Sequence, residues 1–143
     1  MSTGLQKVVP ELLCTDFSAS LRFYVDVCGF HVRYQRPEEL FAHLDLDGAE
    51  LMLEQVTASD RSFVTAPLER PFGRGMNLQI EVADVDALYR RLEQASAPVI
   101  LAMEERWYRR RDEQLGNRQF IVADPDGYLL RFFRPLGARD LRK

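Results

Sequence analysis

Phe120-Ile-Val-Ala-Asp-Pro-Asp-Gly-Tyr-Leu-Leu-Arg-Phe-Phe133 carries the strongest fold signal in the chain, because two apolar runs lie on either side of an Asp-Pro-Asp-Gly turn. This arrangement predicts two neighbouring β-strands joined by a hairpin. The second run holds a single charged residue, Arg131. A guanidinium inside an apolar strand needs a partner or a ligand. Arg131 is therefore the first candidate functional residue.

The same order of elements is predicted twice along the chain. Asp16 and Asp84 are suitable N-caps for two helices, and Asp47-Gly48 is a strong hairpin signal. The first half reads as a strand, a helix and three strands, over residues 8–13, 17–28, 30–35, 41–46 and 50–55. The second half reads as a strand at 76–82, a helix after Asp84, a strand at 98–103, and the two strands around the Asp-Pro-Asp-Gly turn.

The spacing of these signals indicates a duplicated βαβββ module. Asp16 and Asp84 are about 70 residues apart, and Gly48 and Gly127 about 80, so the second copy contains an insertion, which we assign to residues 104–116. Module one covers about residues 5–56 and module two about 76–136, with a linker over about 57–75. A small sheet covered by one helix leaves its other face open to water, so neither module could bury its sheet alone. The 143 residues are therefore expected to form one α+β domain.

Composition narrows the classes of partner. The net charge of −3 gives no general attraction to nucleic acid or to anionic lipid surfaces. We find no run of eighteen apolar residues and no secretory signal at the start of the sequence, and we expect a cytoplasmic protein. Cys14 and Cys28 are expected to be reduced, buried thiols that act as small hydrophobes.

Four stretches of the sequence carry a resemblance to a known family and together span nearly the whole chain. They are Leu12-Leu-Cys-Thr-Asp-Phe-Ser-Ala-Ser-Leu-Arg-Phe-Tyr24 with Cys28-Gly-Phe30, Glu50-Leu-Met-Leu-Glu54, Asp84-Val-Asp-Ala-Leu-Tyr89 and Asp124-Pro-Asp-Gly-Tyr-Leu-Leu-Arg131. With these stretches the chain resembles the vicinal oxygen chelate superfamily, which includes glyoxalase I, extradiol dioxygenases and bleomycin resistance proteins. The resemblance implies a curved mixed sheet around a shared cleft, with the helices outside and two chains forming a homodimer.

Enzymes of this superfamily carry metal ligands, typically His, Glu, His and Glu, on the first and last strand of each module. The corresponding positions in this chain are Val9, Met52, Asn77 and Arg131, allowing for a slip of one or two residues. A thioether suits soft copper(I), and a permanent cation repels any metal. The resemblance therefore implies that the usual metal cage is lost, and we predict neither a metal, nor a cofactor, nor catalytic residues.

Residues two apart on a strand share a face, so Met52 brings Glu50 and Glu54 into the implied cleft. By the same rule, other residues would face the cleft together with the remaining three positions. They are Gln79 and Glu81 with Asn77, Glu11 and Leu13 with Val9, and Leu129 and Phe133 with Arg131. Arg131 could form a salt bridge to Glu54, Glu50 or Glu11, or bind a carboxylate, amide or sulfate of a ligand. The two roles are compatible.

Three further residues are candidates for the cleft. His43 could face it, and a displaced metal site from His43, Glu54 and another carboxylate is conceivable. The insertion could form a lid that offers Trp107 or Tyr108 as a stacking surface for a planar ligand, although Trp107 could equally be a core or interface residue. The predicted ligand-binding set is His43, Met52, Glu54, Asn77, Gln79, Trp107, Tyr108, Arg131 and Phe133.

These residues favour a metal-independent protein, resembling the bleomycin resistance proteins that act in antibiotic resistance, which sequesters an aromatic or cationic small molecule in a dimer cleft. A glyoxalase- or dioxygenase-type metalloenzyme with relocated ligands is the alternative. A non-enzymatic partner or immunity-type module is a third possibility. We expect neither nucleic acid nor membrane as a partner. The modules could pair within one chain or swap between two.

Overall fold

The computed structural model describes residues 6–58 and 61–142. The first module contains β1 (Glu11–Cys14), α1 (Phe17–Arg22), a π-helical turn (Phe23–Val27), β2 (His31–Arg36), a 3₁₀ turn (Pro37–Glu39), β3 (Phe41–Leu46) and β4 (Ala49–Gln55). Its four strands lie in the order β1-β4-β3-β2. β1 runs parallel to β4, and the other pairs are antiparallel.

The second module repeats this plan with longer strands. It contains β5 (Asn77–Glu81), α2 (Val85–Gln94), β6 (Val99–Arg110), β7 (Glu113–Ala123) and β8 (Leu129–Asp140). The strand order is β5-β8-β7-β6, with β5 parallel to β8. The predicted α+β class with two tandem βαβββ modules is thus confirmed.

The chain divides into two compact units. The first unit contains the residues up to Arg74 together with Pro125–Gly127, and the second contains Gly75–Asp124 and the residues from Tyr128 onwards. In the first unit, Asp126 of the Asp-Pro-Asp-Gly turn is buried and accepts hydrogen bonds from Thr15 Oγ1 at 2.6 Å and from Arg70 at 2.9 Å.

Each sheet packs its apolar face against the helix of its own module. In the first unit the buried side chains include Leu12, Phe17, Tyr24, Leu44, Leu51 and Leu53, and in the second they include Ile80, Val85, Leu88, Leu92, Phe120, Leu130 and Phe132. Both predicted N-caps are present, since Asp16 and Asp84 each accept a hydrogen bond from a backbone N–H of the first helical turn. Cys14 and Cys28 are buried free thiols, as predicted.

Two predictions of secondary structure differ from the structure. The helix predicted over 17–28 changes to a π-helical turn after Arg22, where Cys28 N donates to Phe23 O five residues back. The insertion at 104–116 is not a lid loop, because it extends β6 and β7 into a long hairpin. Its strands are largely polar and exposed, so they lack the apolar alternation from which a strand is predicted.

No helix among residues 6–58 and 61–142 is long and apolar enough to cross a membrane.

Candidate functional site

The first unit has a sheet face opposite its helix that carries polar and aromatic side chains. Strand pairing places Glu11 beside Met52, and His43 on the other side of Met52. Glu54 lies between Leu13 and Phe41. The predicted ligand-binding residues His43, Met52 and Glu54 therefore share one face of the sheet.

A cavity of about 750 Å³ opens on this face, and we call it the first-unit cavity. Its lining combines acidic and aromatic residues with one methionine and two arginines, and includes Glu11, Glu38, Glu39, Glu54, Tyr34, Phe41, Phe63, Met52, Arg36 and Arg61. The volume lies within the range of small-molecule sites in proteins. Three of the four acidic residues and all three aromatic residues were absent from the predicted set.

Glu54 and Glu11 lie on the neighbouring strands β4 and β1, and both line this cavity. Burial raises the pKa of Glu54, and the hydrogen bond and charge of Glu11 raise it further. The nearby charge of Glu39 adds to this effect, whereas Arg36 opposes it. Glu54 in this cavity therefore keeps its proton to a higher pH than an ordinary glutamate does.

Glu50 lies on the same face but makes its contacts in the protein interior. Its carboxylate accepts from His43 Nε2 at 2.7 Å, from Arg33 at 2.9 Å and from the backbone N–H of Gln6 at 3.1 Å. Burial alone would raise its pKa, but these three contacts together hold the pKa of Glu50 below its ordinary value. Glu50 is therefore a structural anion, and His43 is the residue that it holds in place.

Tyr34 provides an aromatic surface beside these carboxylates. Its ring stacks on His43 with centroids 5.1 Å apart and lies 5.9 Å from the ring of Phe41. The side chain is 39% exposed, and Phe63 on the same cavity is 70% exposed. Exposed aromatic faces beside carboxylates suit a planar cation.

The second unit also has an open sheet face, and strand pairing defines its members. Gln79 lies beside Arg131, Glu81 beside Phe133, and Asn77 beside Leu129. A cavity of about 550 Å³ on this face, the second-unit cavity, is lined by the predicted residues Gln79, Tyr108, Arg131 and Phe133. Asn77 shares the face but is not part of the lining.

Arg131 makes no ion pair in the part of the chain that the structure describes. Its Nε atom is buried and has no hydrogen-bond partner. The salt bridge to Glu54, Glu50 or Glu11 that the sequence left open would join the two units, and it stays a prediction.

Gln119 is a polar residue of this face that sequence analysis missed. It is 1% exposed, and its Nε2 donates to Glu104 Oε2 at 2.8 Å and to Tyr108 Oη at 2.6 Å. Its Oε1 is buried without a partner. Only the pairing of Gln119 with Phe133 reveals its place on the same face as Arg131, and that register cannot be read from local sequence.

Trp107 lies on the opposite face of the hairpin from Tyr108, its neighbour on β6. It is paired with Gly116, and a Cβ atom added to Gly116 would lie 2.7 Å from the indole ring. The guanidinium of Arg139 lies 3.8 Å from the ring centre. Of the two aromatic residues predicted for this hairpin, Tyr108 lines the second-unit cavity and Trp107 does not.

Metal-ligating side chains do not converge in the described parts of the chain, where no group of three His, Cys, Asp or Glu residues could hold a metal ion. Met52 and Arg131, two of the four expected ligand positions, line the two cavities. The donor sets of both faces thus fit an organic ligand better than a metal.

Comparisons with known proteins find one matching family and several solved structures similar to this chain. The family model "Glyoxalase/Bleomycin resistance protein/Dioxygenase superfamily" matches residues 5–132. A member of that superfamily from Vibrio splendidus 12B01 is 41% identical over 88% of this chain and 96% of that chain, with a TM-score of 0.40. TioX from Micromonospora sp. ML1 is 27% identical over 90% of this chain and 98% of that chain, with a TM-score of 0.66.

The fosfomycin resistance protein FosX from Listeria monocytogenes shares the fold at 17% identity, with 94% of each chain covered and a TM-score of 0.58. No curated protein is significantly similar in sequence to this chain.

Proposed function

Because the chain belongs to the glyoxalase/bleomycin resistance protein/dioxygenase superfamily, we propose that it is a metal-independent binding protein that sequesters a small aromatic cation in the first-unit cavity. The observation that carries the proposal is a cavity of about 750 Å³ in which the side chains of Glu11, Glu38, Glu39 and Glu54 lie beside the exposed ring of Tyr34. A positively charged ligand favours the ionised form of Glu54.

Electrostatics and shape support the same class of ligand. Four glutamates and two arginines, Arg36 and Arg61, line the cavity, so acidic side chains outnumber basic ones and a cation is favoured over an anion. Tyr34 offers a ring on which a planar cation can stack, whereas the guanidinium of Arg61 already lies 4.7 Å from the ring centre of Phe63. A stacked cation gains roughly 0.5–2 kcal/mol, depending on how fully it is desolvated. A neutral ligand of the same shape would stack on the ring but would gain no electrostatic attraction from the carboxylates.

Metal independence is part of the proposal. The alternative, a metalloenzyme with relocated ligands, would have to use His43 and glutamates of this face. His43 Nε2 donates to Glu50, so only Nδ1 could ligate a metal, and no group of three His, Cys, Asp or Glu residues in the described parts of the chain could hold one. Metal analysis of protein purified without an affinity tag decides between the two: one tightly held divalent metal per chain would overturn the proposal.

The binding test is calorimetric titration at about pH 8, where carboxyl groups of ordinary pKa are ionised. We expect planar aromatic cations and bleomycin-type glycopeptides to bind more tightly than uncharged analogues of the same size. Glu54→Gln is expected to weaken cation binding about tenfold, or ~1.4 kcal/mol. Glu93→Gln, on the exposed surface of α2, serves as the matched control.

Two results would contradict the proposal: no heat and no thermal shift with any cation in the panel, or equal affinity for charged and uncharged analogues.

The oligomeric state is tested separately. We propose a homodimer, as the superfamily resemblance implies, and light scattering after gel filtration should give twice the chain mass of 16.6 kDa.

A further inference from the structure

Strand β6 forms an open edge of the second sheet. The strand order β5-β8-β7-β6 gives it one neighbour, β7, and no strand among residues 6–58 and 61–142 pairs with its other side. Residues 104–110 of this strand are exposed or half-buried. An exposed edge presents free backbone N–H and C=O groups that can pair with a strand of another molecule. The second sheet can therefore accept a further strand at β6.

The turn of the hairpin determines which backbone groups of β6 point to this edge. Arg110 is paired with Glu113 across a turn of two residues. The residues that flank such a turn exchange both backbone hydrogen bonds, and bonded pairs then alternate along the strands. The even-numbered residues from 104 to 110 therefore bond to β7. Glu105, Trp107 and Arg109 direct their N–H and C=O groups to the free edge.

The charges of β6 are complementary to a second, antiparallel copy of the same strand. Residues 104–110 read Glu-Glu-Arg-Trp-Tyr-Arg-Arg, so the two carboxylates lie at one end and two guanidiniums at the other. A twofold axis at Trp107 would place Glu105 opposite Arg109 of the second copy, and Glu104 opposite Arg110. Each pair would occur twice because of the symmetry. All these pairs join opposite charges, which stabilise a sheet when they lie directly opposite each other.

The other positions of the axis bring like charges together. An axis at residue 105, 106 or 109 places a charged residue opposite its own copy. An axis at residue 108 places Arg106 opposite Arg110. Like charges directly opposite each other are destabilising. Among positions 105 to 109, Trp107 alone gives a register without such a pair.

The side chains of β6 leave the edge accessible to a second strand. The indole of Trp107 lies over Gly116 of β7, so it points away from the edge. Arg109 makes no ion pair with the residues that the structure describes, and its Nη1 donates to the carbonyl of Arg111 at 3.2 Å. The Glu105 side chain is 52% exposed and can accept a further guanidinium.

The edge strand of the first sheet, β2, has a different charge pattern. Its sequence contains Arg33 and Arg36 and no carboxylate. An antiparallel copy of β2 would therefore supply no opposite charge to either arginine. Charged residues on an edge usually prevent strand pairing, and β2 fits that role. Complementarity to a second copy is thus a property of β6 and not of every edge in this chain.

We propose that two copies of this chain associate through their β6 edges, with Trp107 on the twofold axis, so that two four-stranded sheets become one continuous sheet. The contact is isologous, as a twofold interface requires. It specifies a contact for the homodimer proposed above and rests on that assembly, but it uses no residue of the first-unit cavity and does not depend on cation binding. Because the exposed ion pairs are screened by salt, the dimer should weaken as salt is added.

The first test is sedimentation equilibrium of the full chain at low salt. Arg109→Glu would place two carboxylates opposite each other, and it should raise the dissociation constant of the dimer at least tenfold. Arg90→Glu on the exposed side of α2 makes the same change in net charge, and should leave the constant within about twofold of the wild-type value. Wild-type protein that stays monomeric at millimolar concentration would overturn the proposal. A dimer that is equally tight in Arg109→Glu would overturn the edge contact and leave the homodimer itself standing.

Mixing two variants tests the register. Glu105→Arg gives a chain with arginine at both positions, and Arg109→Glu gives one with glutamate at both. Each variant alone should be mainly monomeric, whereas an equal mixture should form a heterodimer with about wild-type affinity. Glu105→Arg also faces Arg118, 3.5 Å from the present carboxylate. Should it fail to fold, Glu105→Gln provides the readout, with a dimer about threefold weaker than wild type. A mixture that associates no more tightly than its components would overturn the register.

Hydrogen exchange tests the backbone pairing. The amides of Trp107 and Arg109 should exchange more slowly above the dissociation constant of the dimer than below it, because only the dimer gives them acceptors. The amides of Arg106 and Tyr108 bond to β7 and should be protected at both concentrations. Exchange of the edge amides that does not change with protein concentration would sink the idea. A full titration of an aromatic cation into Arg109→Glu should give wild-type affinity, which separates this contact from the proposed cation site.

Discussion

Glu50 Oε1 accepts a hydrogen bond of 2.7 Å from His43 Nε2, and both side chains are shielded from solvent, with 3% and 0% exposure. The same carboxylate also pairs with Arg33. One carboxylate therefore compensates an imidazole N–H and a guanidinium at the centre of the first sheet. Its removal would leave both donors without their acceptor.

Glu50→Gln is expected to destabilise the protein by about 2 kcal/mol, because the buried N–H of His43 loses its charged acceptor. Urea unfolding followed by far-ultraviolet circular dichroism measures the change. Glu93→Gln removes an exposed carboxylate and should change stability by less than ~0.5 kcal/mol. A loss in Glu50→Gln no larger than in this control would show that the buried contact contributes little.

Lowering the pH should remove the contribution of Glu50 to the free energy of unfolding. Its pKa in the folded protein lies below the ordinary value of 4.5, so the unfolded chain takes up the proton first as pH falls. The stabilisation is complete above that ordinary value and disappears as pH falls through the folded pKa. The stability difference between wild type and Glu50→Gln should therefore shrink below about pH 4.5. A difference that stays constant down to about pH 3 would contradict the assignment.

The contribution of Glu54 to stability should change with pH in the opposite direction to that of Glu50. Its pKa in the folded protein is raised, so the folded state binds the proton more tightly than the unfolded chain does. Stability from this group is greatest below the ordinary value of 4.5 and falls as pH rises through the folded pKa. Glu54→Gln, a neutral replacement, should thus be more stable than wild type at about pH 8 and lose this advantage in acid. Thermal unfolding across this pH range measures the crossover.

Binding of an aromatic cation should release protons from the first-unit cavity. A cation favours the ionised form of Glu54, so affinity should rise as pH rises through the raised pKa of that carboxyl group. Titration in buffers of different ionisation enthalpy gives the number of protons released, which should approach one below that pKa and zero above it. A proton count that is the same in wild type and Glu54→Gln would place the titrating group elsewhere.

Gly116→Ala should destabilise the second unit, because an added Cβ atom would meet the Trp107 ring at 2.7 Å. The expected loss is about 1–3 kcal/mol, the usual effect of overpacking. In a Trp107→Leu background, which removes the large ring, Gly116→Ala should lower the free energy of unfolding by less than it does in the wild type. If both alanine variants lose the same amount, the backbone rather than the ring sets the requirement for glycine.

The duplicated fold was predictable because its signals are local. The Asp16 and Asp84 caps, the Asp47-Gly48 hairpin and the apolar alternation are all visible in short windows, and the strand predicted at 41–46 has the observed bounds. The polar hairpin at 104–116 could not be predicted in this way. Its strands are held by pairing with each other and with β8 rather than by a buried apolar face.

The candidate sites were only partly predictable, for a related reason. Strand parity correctly groups Met52 with Glu54 and Arg131 with Phe133, since it needs a single strand. Gln119 and Tyr34 join these faces only through cross-strand register. In the case of Tyr34, the bulge between Val32 and Tyr34 also shifts the alternation by one residue.

The hairpin of the second unit contains an intrinsic fluorophore. Trp107 is the one tryptophan among the 143 residues. Its ring lies between Gly116 and the guanidinium of Arg139, while the next residue, Tyr108, lines the second-unit cavity. Indole emission reports on the charges and packing around a single ring, so a molecule that enters beside Tyr108 can be followed by fluorescence without an attached dye.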